Sequence, residues 1–492
     1  MRIIRLVALL VALPTILEAQ GPTPSLINSA QRARELLRRG IEAAGGLNAL
    51  RGVTTVTRVM NGRRTDIGQG LTPDRPADLT NTSVVIVDPV TPRLARWTRA
   101  VILGGQPIRW HFAINQNGGF NANFGNRTIR PVPTTNARNV LAVNMRRWPE
   151  TLLLAAWNRP EALRLLDRNV VAYADIDGTV LNLLFDPRSG LLMRIEWAAD
   201  DAVRGEGTSA IRFEDWRPAG NLRLPYRYTE EVLGSDLQSY TVTSLTLNAP
   251  VPDSTFAAPA GLDTIPSTDG GPPERLGTGV WMSGGAYTSL AVEFRDYVLV
   301  LEAGGSSVAA QSQLAQFRRL IPGKPIRYVV TTHAHHDHVS GVRPYIAEGV
   351  TIVTTPDAAA VVRAAAHSTH VLRADTLSRA PRDAVVELVT DRRVFDDSTQ
   401  RVELYQIGPS PHARQILVAY LPRERLLFEG DLLDLSYGHA NAGGEDTEHL
   451  ASSLQQLGLV VDRIVAVHSG VGPRALLDSA LAQRARWATS SR

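Results

Sequence analysis

The ten residues from 332 to 341, THAHHDHVSG, contain the densest cluster of groups that can do chemistry. They place His333, His335, Asp337 and His338 in the spacing H-x-H-x-D-H. In an extended segment alternate residues project to one side, so His333, His335 and Asp337 are expected to converge. Imidazole nitrogens and carboxylate oxygens are ligands that Zn²⁺ prefers. The spacing predicts a metal site, and the alternative is a His-rich solvated loop.

The flanking segments are expected to position this cluster. Residues 326–332, IRYVVTT, are rich in β-branched side chains and predict a buried strand. Residues 340–346, SGVRPYI, predict a helix with Ser340 as its N-cap. A loop between a strand and a helix is where α/β folds place their ligands.

Composition narrows the class of protein. A chain of 492 residues is too long for one ordinary core, so two domains are expected. A hydrophobic content of 44% and a charged content of 20% are typical of soluble globular proteins. The formal net charge is only +4 and no basic run is present, so we expect no nucleic-acid partner. There are no cysteines, and therefore no disulfides.

The first twenty residues have the pattern of a secretory signal peptide. Arg2 and Arg5 precede an apolar stretch over 6–17, and Ala19 stands at a plausible cleavage site. That stretch is too short to span a bilayer, and no later stretch approaches 18 apolar residues. We therefore expect a periplasmic or secreted protein with no integral membrane segment in the mature chain.

Residues 21–265 are predicted to form one antiparallel β-sheet domain. A helical pattern over 25–46 is followed by strand-like runs that are separated by turn residues. One helical stretch, 149–166, interrupts the strands, and the Asn-rich segment 115–126 predicts a loop. The Pro/Gly-rich residues 266–276 predict a linker.

The order of these elements, and the segment FEDWRPAGNLRLPYRY at 213–228, resemble the curved-sheet domain of periplasmic lipoprotein-sorting carriers. The resemblance implies a curved antiparallel sheet. This region contains a single histidine, His111, and no cluster of metal ligands. A structural or substrate-presenting role is therefore favoured over a catalytic one.

Ten of the eleven histidines lie beyond residue 275. Together with the H-x-H-x-D-H segment, residues 402–433 (VELYQIGPSPHARQILVAYLPRERLLFEGDLL) and 463–470 (RIVAVHSG) resemble the metallo-β-lactamase superfamily. The resemblance implies an αββα sandwich over 277–492 and a metal-dependent hydrolase. The expected fold class is thus α+β with two domains.

The resemblance also implies the metal ligands. The first metal is assigned to His333, His335 and His412, the second to Asp337, His338 and His468, and Asp431 bridges the two. Three histidines leave an open position for water, as in catalytic zinc sites. Two zinc ions would hold a hydroxide as nucleophile, and Asp337 is expected to orient it and shuttle its proton.

Other polar residues near these segments receive weaker predictions. Tyr437, six residues after Asp431, is expected to contact substrate, although a packed or surface tyrosine is the alternative. His336 is expected to point away from the metals. No ligand role is expected for the remaining histidines of this region, which are His367, His370, His439 and His449.

The expected function is an exported dinuclear zinc hydrolase that cleaves a small ester, lactone or amide-like substrate. An aspartate at 431 resembles the glyoxalase II, lactonase and phosphodiesterase branches. A β-lactam hydrolase is one alternative. A periplasmic carrier with a secondary metal site is another. The sequence does not select a substrate or an oligomeric state.

Overall fold

The computed structural model describes residues 24–101, 107–125, 127–265, 272–284, 287–435 and 443–490. The predicted signal peptide over 1–20, Tyr437 and His439 lie outside these residues, as does most of the predicted linker. None of the described helices is long and apolar enough to cross a membrane.

Alternation of apolar and polar side chains organises the N-terminal part of the chain as one sheet. In the described residues this sheet has 14 strands, and nearly all neighbours are antiparallel. The spatial order is β14-β6-β5-β4-β3-β2-β1-β13-β12-β11-β10-β9-β8-β7. The strands are β1 Val56–Asp66, β2 Ala77–Asp88, β3 Arg93–Val101, β4 Pro107–Asn115, β5 Gly118–Asn123, β6 Thr128–Val132, β7 Leu163–Asp167, β8 Val170–Ala174, β9 Val180–Phe185, β10 Leu192–Asp201, β11 Gly205–Ala219, β12 Leu222–Val232, β13 Ser235–Leu247 and β14 Asp263–Thr264.

One face of this sheet buries the apolar sides of helices. The helices are α1 Pro24–Ala43, α2 Leu47–Arg51, α3 Thr134–Met145 and α4 Pro149–Trp157. On β1, Val56 and Met60 enter this core, and Arg58 between them is fully buried against Glu150 of α4 at 2.8 Å. The same face continues along β1 to Arg64, which lines a cavity beside the metal-binding region. The helices therefore pack against one end of this face of the sheet, and the metal-binding region lies at the other end of the same face.

The C-terminal part consists of two further sheets. The first has the order β15 Glu274–Gly277, β16 Val280–Met282, β17 Leu290–Glu293, β18 Val298–Leu301, β19 Ile326–Val330, β20 Thr351–Thr354 and β21 Val386–Leu388. The second has the order β22 Arg392–Asp396, β23 Arg401–Gln406, β24 Leu417–Leu421, β25 Leu426–Glu429, β26 Arg463–Ala466 and β27 Gly470–Pro473.

Apolar side chains from both of these sheets share one core, in which Leu299 and Val330 face Leu404 and Ala419. A second core lies between the first sheet and three helices, and a third between the second sheet and two helices. These helices are α5 Ser307–Leu320, α7 Val342–Ala347 and α8 Pro356–His367 on one side, and α10 Glu445–Gln456 and α11 Ala475–Ser490 on the other. The short helices α6 His336–Val339 and α9 Thr376–Arg379 complete the described set. The predicted αββα sandwich is confirmed.

Three local predictions were wrong. The helix predicted over 149–166 ends at Trp157, because Pro160 removes a backbone donor and restricts the residue before it. The Asn-rich segment contains strand β5, because Phe120 and Ala122 alternate with the asparagines and are buried. Helix α7 has Gly341 at its N-cap position without a side-chain cap, so Ser340 does not cap it.

Hairpin β10–β11 joins the large sheet to the sandwich. Glu206 N–H donates to Thr369 O at 3.0 Å, and the Glu206 carboxylate accepts from the backbone N–H of Leu372 and Arg373. His370 Nδ1 lies 2.6 Å from Asp200 Oδ1. These contacts fix the two regions against each other on one side of the metal-binding segment.

Candidate metal centre

Five segments bring the predicted ligands together at the ends of strands. His333 and His335 follow β19, and the short helix α6 supplies Asp337 and His338. The remaining ligands come from the second sheet: His412 lies between β23 and β24, Asp431 follows β25, and His468 follows β26. Residues far apart in sequence therefore meet at one edge of the sandwich.

The H-x-H-x-D-H segment is not extended throughout. His335 has φ −63° and ψ 142°, and helix α6 begins at the next residue. The prediction that residues 333, 335 and 337 alternate along one extended stretch was wrong. Helical geometry instead turns Asp337 and His338 toward a second position beside the first.

The structure groups the ligands in two sets that share Asp431. The first set is His333, His335, His412 and Asp431, and the second is Asp337, His338, Asp431 and His468. Within each set the candidate ligand atoms lie within 4.8 Å of one another. The structure thus brings together the residues that the sequence predicts around each of two metals, and the two groups share Asp431. Tyr437 falls outside the described residues.

Distances to Asp431 show how one carboxylate serves both sets. Its Oδ2 lies 3.3 Å from His412 Nε2 and 4.0 Å from His333 Nε2. Its Oδ1 lies 3.0 Å from His338 Nε2 and 3.3 Å from His468 Nε2. Each oxygen therefore faces a different group of imidazoles.

Several buried polar atoms point into the centre without a hydrogen-bond partner among the described residues. They are His335 Nδ1, and also His338 Nε2 and Asp431 Oδ1, which lie 3.0 Å apart but are not aligned for a hydrogen bond with each other. Buried polar atoms are normally hydrogen-bonded, and leaving one unpaired costs about 1–3 kcal/mol. Metal ligands are the exception, since their lone pairs are reserved for the ion. The donor set thus fits divalent cations.

Outer contacts select which nitrogen of each histidine faces inward. His335 Nε2 donates to Gly70 O at 3.0 Å, which leaves Nδ1 as the inward atom. His333 Nδ1 lies 3.0 Å from Thr332 Oγ1, which leaves Nε2 inward. His412 Nδ1 faces Asp446 Oδ2 at 3.7 Å. Such outer partners fix the tautomer and the ring orientation of metal-ligating histidines.

Glu302 gives His338 the same kind of support. This fully buried carboxylate accepts from His338 Nδ1 at 3.2 Å and from the Thr332 N–H at 2.8 Å. Tyr287 donates its hydroxyl hydrogen to the other oxygen of Glu302 at 2.9 Å. His338 Nε2 is thereby directed at Asp431.

A loop of the N-terminal sheet completes the centre. Between β1 and β2, Gln69 Nε2 donates to Asp337 Oδ1 at 2.7 Å, and Gly68 O accepts from the His336 N–H at 2.9 Å. Gly68 has φ +86°, and a Cβ there would lie 2.3 Å from the His336 ring. Only glycine combines this backbone conformation with so close an approach. His336 therefore faces the N-terminal sheet.

Charge around the centre is uneven. Burial, reinforced by His412, lowers the pKa of His335 to about 3. Burial also opposes protonation of His412, but the carboxylates of Asp431 and Asp446 outweigh it and raise its pKa to about 9. Burial acts against ionisation of Asp337, yet His338 and His468 hold its pKa below the usual range. The centre therefore combines ionised carboxylates with imidazoles, and this environment suits a divalent cation.

The other histidines contact protein groups. His449 Nε2 lies 2.6 Å from Ile407 O, and His370 pairs with Asp200. His367 is exposed and lies 3.4 Å from Asp383. None of the three is in a ligand set of the described residues.

Sequence reasoning missed Glu302, Gln69 and Gly70. Glu302 had a signal, because a carboxylate directly after the apolar strand VLVL is costly unless it is paired. Gln69 and Gly70 had none. They lie more than 260 positions before the residues they contact, in an ordinary turn segment.

Residues 283–468 match the family model described as the metallo-beta-lactamase superfamily. This range includes every ligand of both sets. The match is confined to the C-terminal region, which therefore resembles a family of metal-dependent hydrolases.

Solved structures similar to this part of the chain include a metallo-beta-lactamase from Pontibacter korlensis, with 20% identity, 44% of this chain and 98% of that chain covered, and a TM-score of 0.34. The mono-zinc form of FIM-1 from Pseudomonas aeruginosa has 20% identity, covers 45% and 98%, and has a TM-score of 0.32. A metallo-beta-lactamase from Hirschia baltica has 17% identity, covers 43% and 97%, and has a TM-score of 0.33. Among curated proteins, none matches this chain in sequence.

Proposed function

We propose that the protein is an exported, dinuclear zinc hydrolase that cleaves a small ester, lactone or amide-like bond. The observation that carries the proposal is the position of Asp431, whose two oxygens face two separate groups of imidazoles. A single-metal site has no use for a carboxylate shared in this way. Export is inferred from the pattern of the first twenty residues.

The first cation would be held by His333, His335 and His412, the second by Asp337, His338 and His468, with Asp431 between them. When bound, two such ions supply Lewis acidity and draw a strong nucleophile from water at neutral pH.

The chain's own contribution centres on Asp337. Its side chain is 36% exposed, and its carboxylate lines a cavity of about 480 Å³ together with His468. Gln69 holds Oδ1, so Oδ2 faces His468 Nε2 at 3.2 Å. An ionised carboxylate in this position accepts the proton of the attacking water and returns it to the leaving group. The N-terminal sheet lines one side of the neighbouring cavity, whose other side includes His335, His412 and Asp431.

The test compares hydrolysis of an ester, a lactone and a β-lactam by the full-length mature protein, with and without a chelator. We expect chelator-sensitive turnover of the ester or the lactone, restored by added zinc. Turnover of the β-lactam alone would favour the alternative hypothesis of a β-lactam hydrolase. Turnover that survives complete metal removal would contradict the proposal.

A carrier function is the second candidate, and one observation favours it. A cavity of about 320 Å³ lies against α3 and α4, away from the metal ligands, and is lined mainly by apolar side chains such as Leu141, Met145 and Leu152. This volume suits a small apolar ligand. The carrier hypothesis predicts that the metal-free, full-length protein still binds a fluorescent fatty acid. It also predicts that unlabelled lipid displaces this probe.

A further inference from the structure

A third cavity, of about 530 Å³, separates the N-terminal sheet from the metal ligands. Its floor includes His335, His412 and Asp431, and its roof is one face of the sheet. The volume lies in the range of small-molecule sites. Both regions of the chain therefore build the space in which a substrate would meet the metals.

The roof follows from strand alternation. On β3, Arg96, Thr98 and Ala100 point to the same side, and on β4 Ile108 and Trp110 do so. The register pairs Thr98 with Trp110 and Ala100 with Ile108, so these side chains lie next to one another. Trp110 is 39% exposed and also lines the neighbouring cavity that contains Asp337. The roof thus combines apolar surface with guanidinium groups.

The charges on the roof do not cancel. Three arginines line the cavity from the sheet side, and two of them have a carboxylate partner: Arg64 lies 2.5 Å from Asp66, and Arg147 pairs with Glu230. Arg96 makes no ion pair within the described part of the chain. One positive charge is therefore left over.

The surroundings of Arg96 make this surplus costly. Arg96 is half-buried, and its guanidinium lies 5.7 Å from the ring centroid of Phe112, a cation–π contact that offsets part of this cost. Burial lowers its pKa, Arg147 nearby adds repulsion, and Tyr240 and Glu230 compensate only in part. A guanidinium nevertheless stays charged in proteins, so an anion that enters the cavity would meet a positive charge without a carboxylate partner.

We propose that Arg96 binds a carboxylate of the substrate, so that the hydrolysed compound is an anion whose apolar part lies against Trp110 and Ile108. The planar fork of a guanidinium matches the two oxygens of a carboxylate. That the bound anion is a substrate rests on the proposed hydrolase function. The anion site itself is inferred from the charged side chains on the sheet side of the cavity.

The test measures binding rather than turnover, so that it stays informative if the hydrolase proposal fails. Zinc-loaded, full-length protein is titrated calorimetrically with hydrocinnamic acid, which carries one carboxylate, and with hydrocinnamyl alcohol, which is neutral; neither contains an ester, lactone or amide bond. We expect the wild type to bind the charged probe about tenfold more tightly or better, as a charge-assisted hydrogen bond allows.

Arg96→Gln is expected to abolish this preference without weakening binding of the neutral probe. Arg96→Lys keeps the charge and is expected to retain part of it. Arg99→Gln is the matched control: it removes an exposed arginine from the same strand on the opposite face, and the preference should remain. Circular dichroism and thermal unfolding check that each variant is folded.

Equal binding of the two probes to the wild type would overturn the proposal. So would a preference that survives Arg96→Gln, which would place the carboxylate on the metals. A preference that depends on Arg96 in a protein without chelator-sensitive turnover would support the anion site and count against the hydrolase function.

Discussion

The large N-terminal sheet and the two-sheet sandwich meet at the same centre but contribute different parts of it. In the described residues, both ligand sets come entirely from the sandwich, at the ends of its strands. The sheet contributes Gln69 and Gly70 from a loop, and Arg96 and Trp110 from one face. The comparison indicates a division of labour, in which one region binds metal and the other holds the ligands in place and shapes the cavity.

The largest effect is expected from Asp337, the group that we propose moves the proton. Asp337→Asn keeps the size of the side chain but removes its basicity, so turnover should fall by about 10²–10⁴-fold. Steady-state hydrolysis of the best ester or lactone measures it. Asp296→Asn, which changes an exposed residue that belongs to neither ligand set, is the control. Full turnover in Asp337→Asn would remove this residue from the mechanism.

The next prediction concerns the stability of the sheet region. Arg58 and Glu150 form a fully buried pair at 2.8 Å, and Arg58 also donates to Tyr228. Arg58→Met leaves Glu150 buried and unpaired, which should cost about 3–5 kcal/mol in the free energy of unfolding, measured by denaturant titration.

Arg63→Met is the matched control for that change, because Arg63 lies on β1 like Arg58 but forms an exposed pair, with Asp78 of β2. Little change is expected, since solvent screens exposed pairs. Equal losses in the two variants would show that burial of the Arg58 pair has no special role.

A smaller effect is expected from the outer support of the second ligand set. Glu302→Gln keeps the shape of the side chain but removes the negative charge of the carboxylate to which His338 Nδ1 donates. Metal affinity should fall by about 10–100-fold, measured by competition with a chromophoric chelator. Glu293→Gln, which alters a carboxylate paired with Lys324, should leave the affinity unchanged.

The smallest effect tests the loop from the sheet region. Gly68 (φ +86°) and Gly178 (φ +85°) have nearly the same backbone conformation, but only Gly68 approaches another residue, His336. Alanine at either position costs about 1–2 kcal/mol of backbone strain. Only Gly68→Ala should also weaken metal affinity, by about tenfold, because the loop that holds His335 and Asp337 must shift. Equal metal affinity in the two variants would show that the loop of the N-terminal sheet does not support the metal centre.

The residues that the structure gathers in the two ligand sets were predicted in two ways. The H-x-H-x-D-H spacing is compact and identifies His333, His335, Asp337 and His338 by itself, whereas His412, Asp431 and His468 were assigned through the resemblance to the superfamily. The antiparallel nature of the N-terminal sheet was predictable from alternation, and the αββα sandwich from the family resemblance.

The cavity and its roof were not predictable in this way. Which face of β3 meets the metal centre depends on the packing of two regions, which leaves no periodic mark on the sequence. Residues 115–126 were predicted as a loop because Asn and Gly have low strand propensity. That prediction was wrong because Phe120 and Ala122 are buried and stabilise a strand there. Long-range contacts such as Gln69 to Asp337 follow from tertiary structure alone.

The most direct measurement is the zinc content per chain of the wild type and of Asp431→Asn, after equilibration at a low, buffered free-zinc concentration. Two cations that share one carboxylate predict about two zinc ions in the wild type and a clear loss in the variant. A wild type without bound zinc, or an Asp431→Asn variant that retains the full wild-type content, would contradict the shared-carboxylate centre.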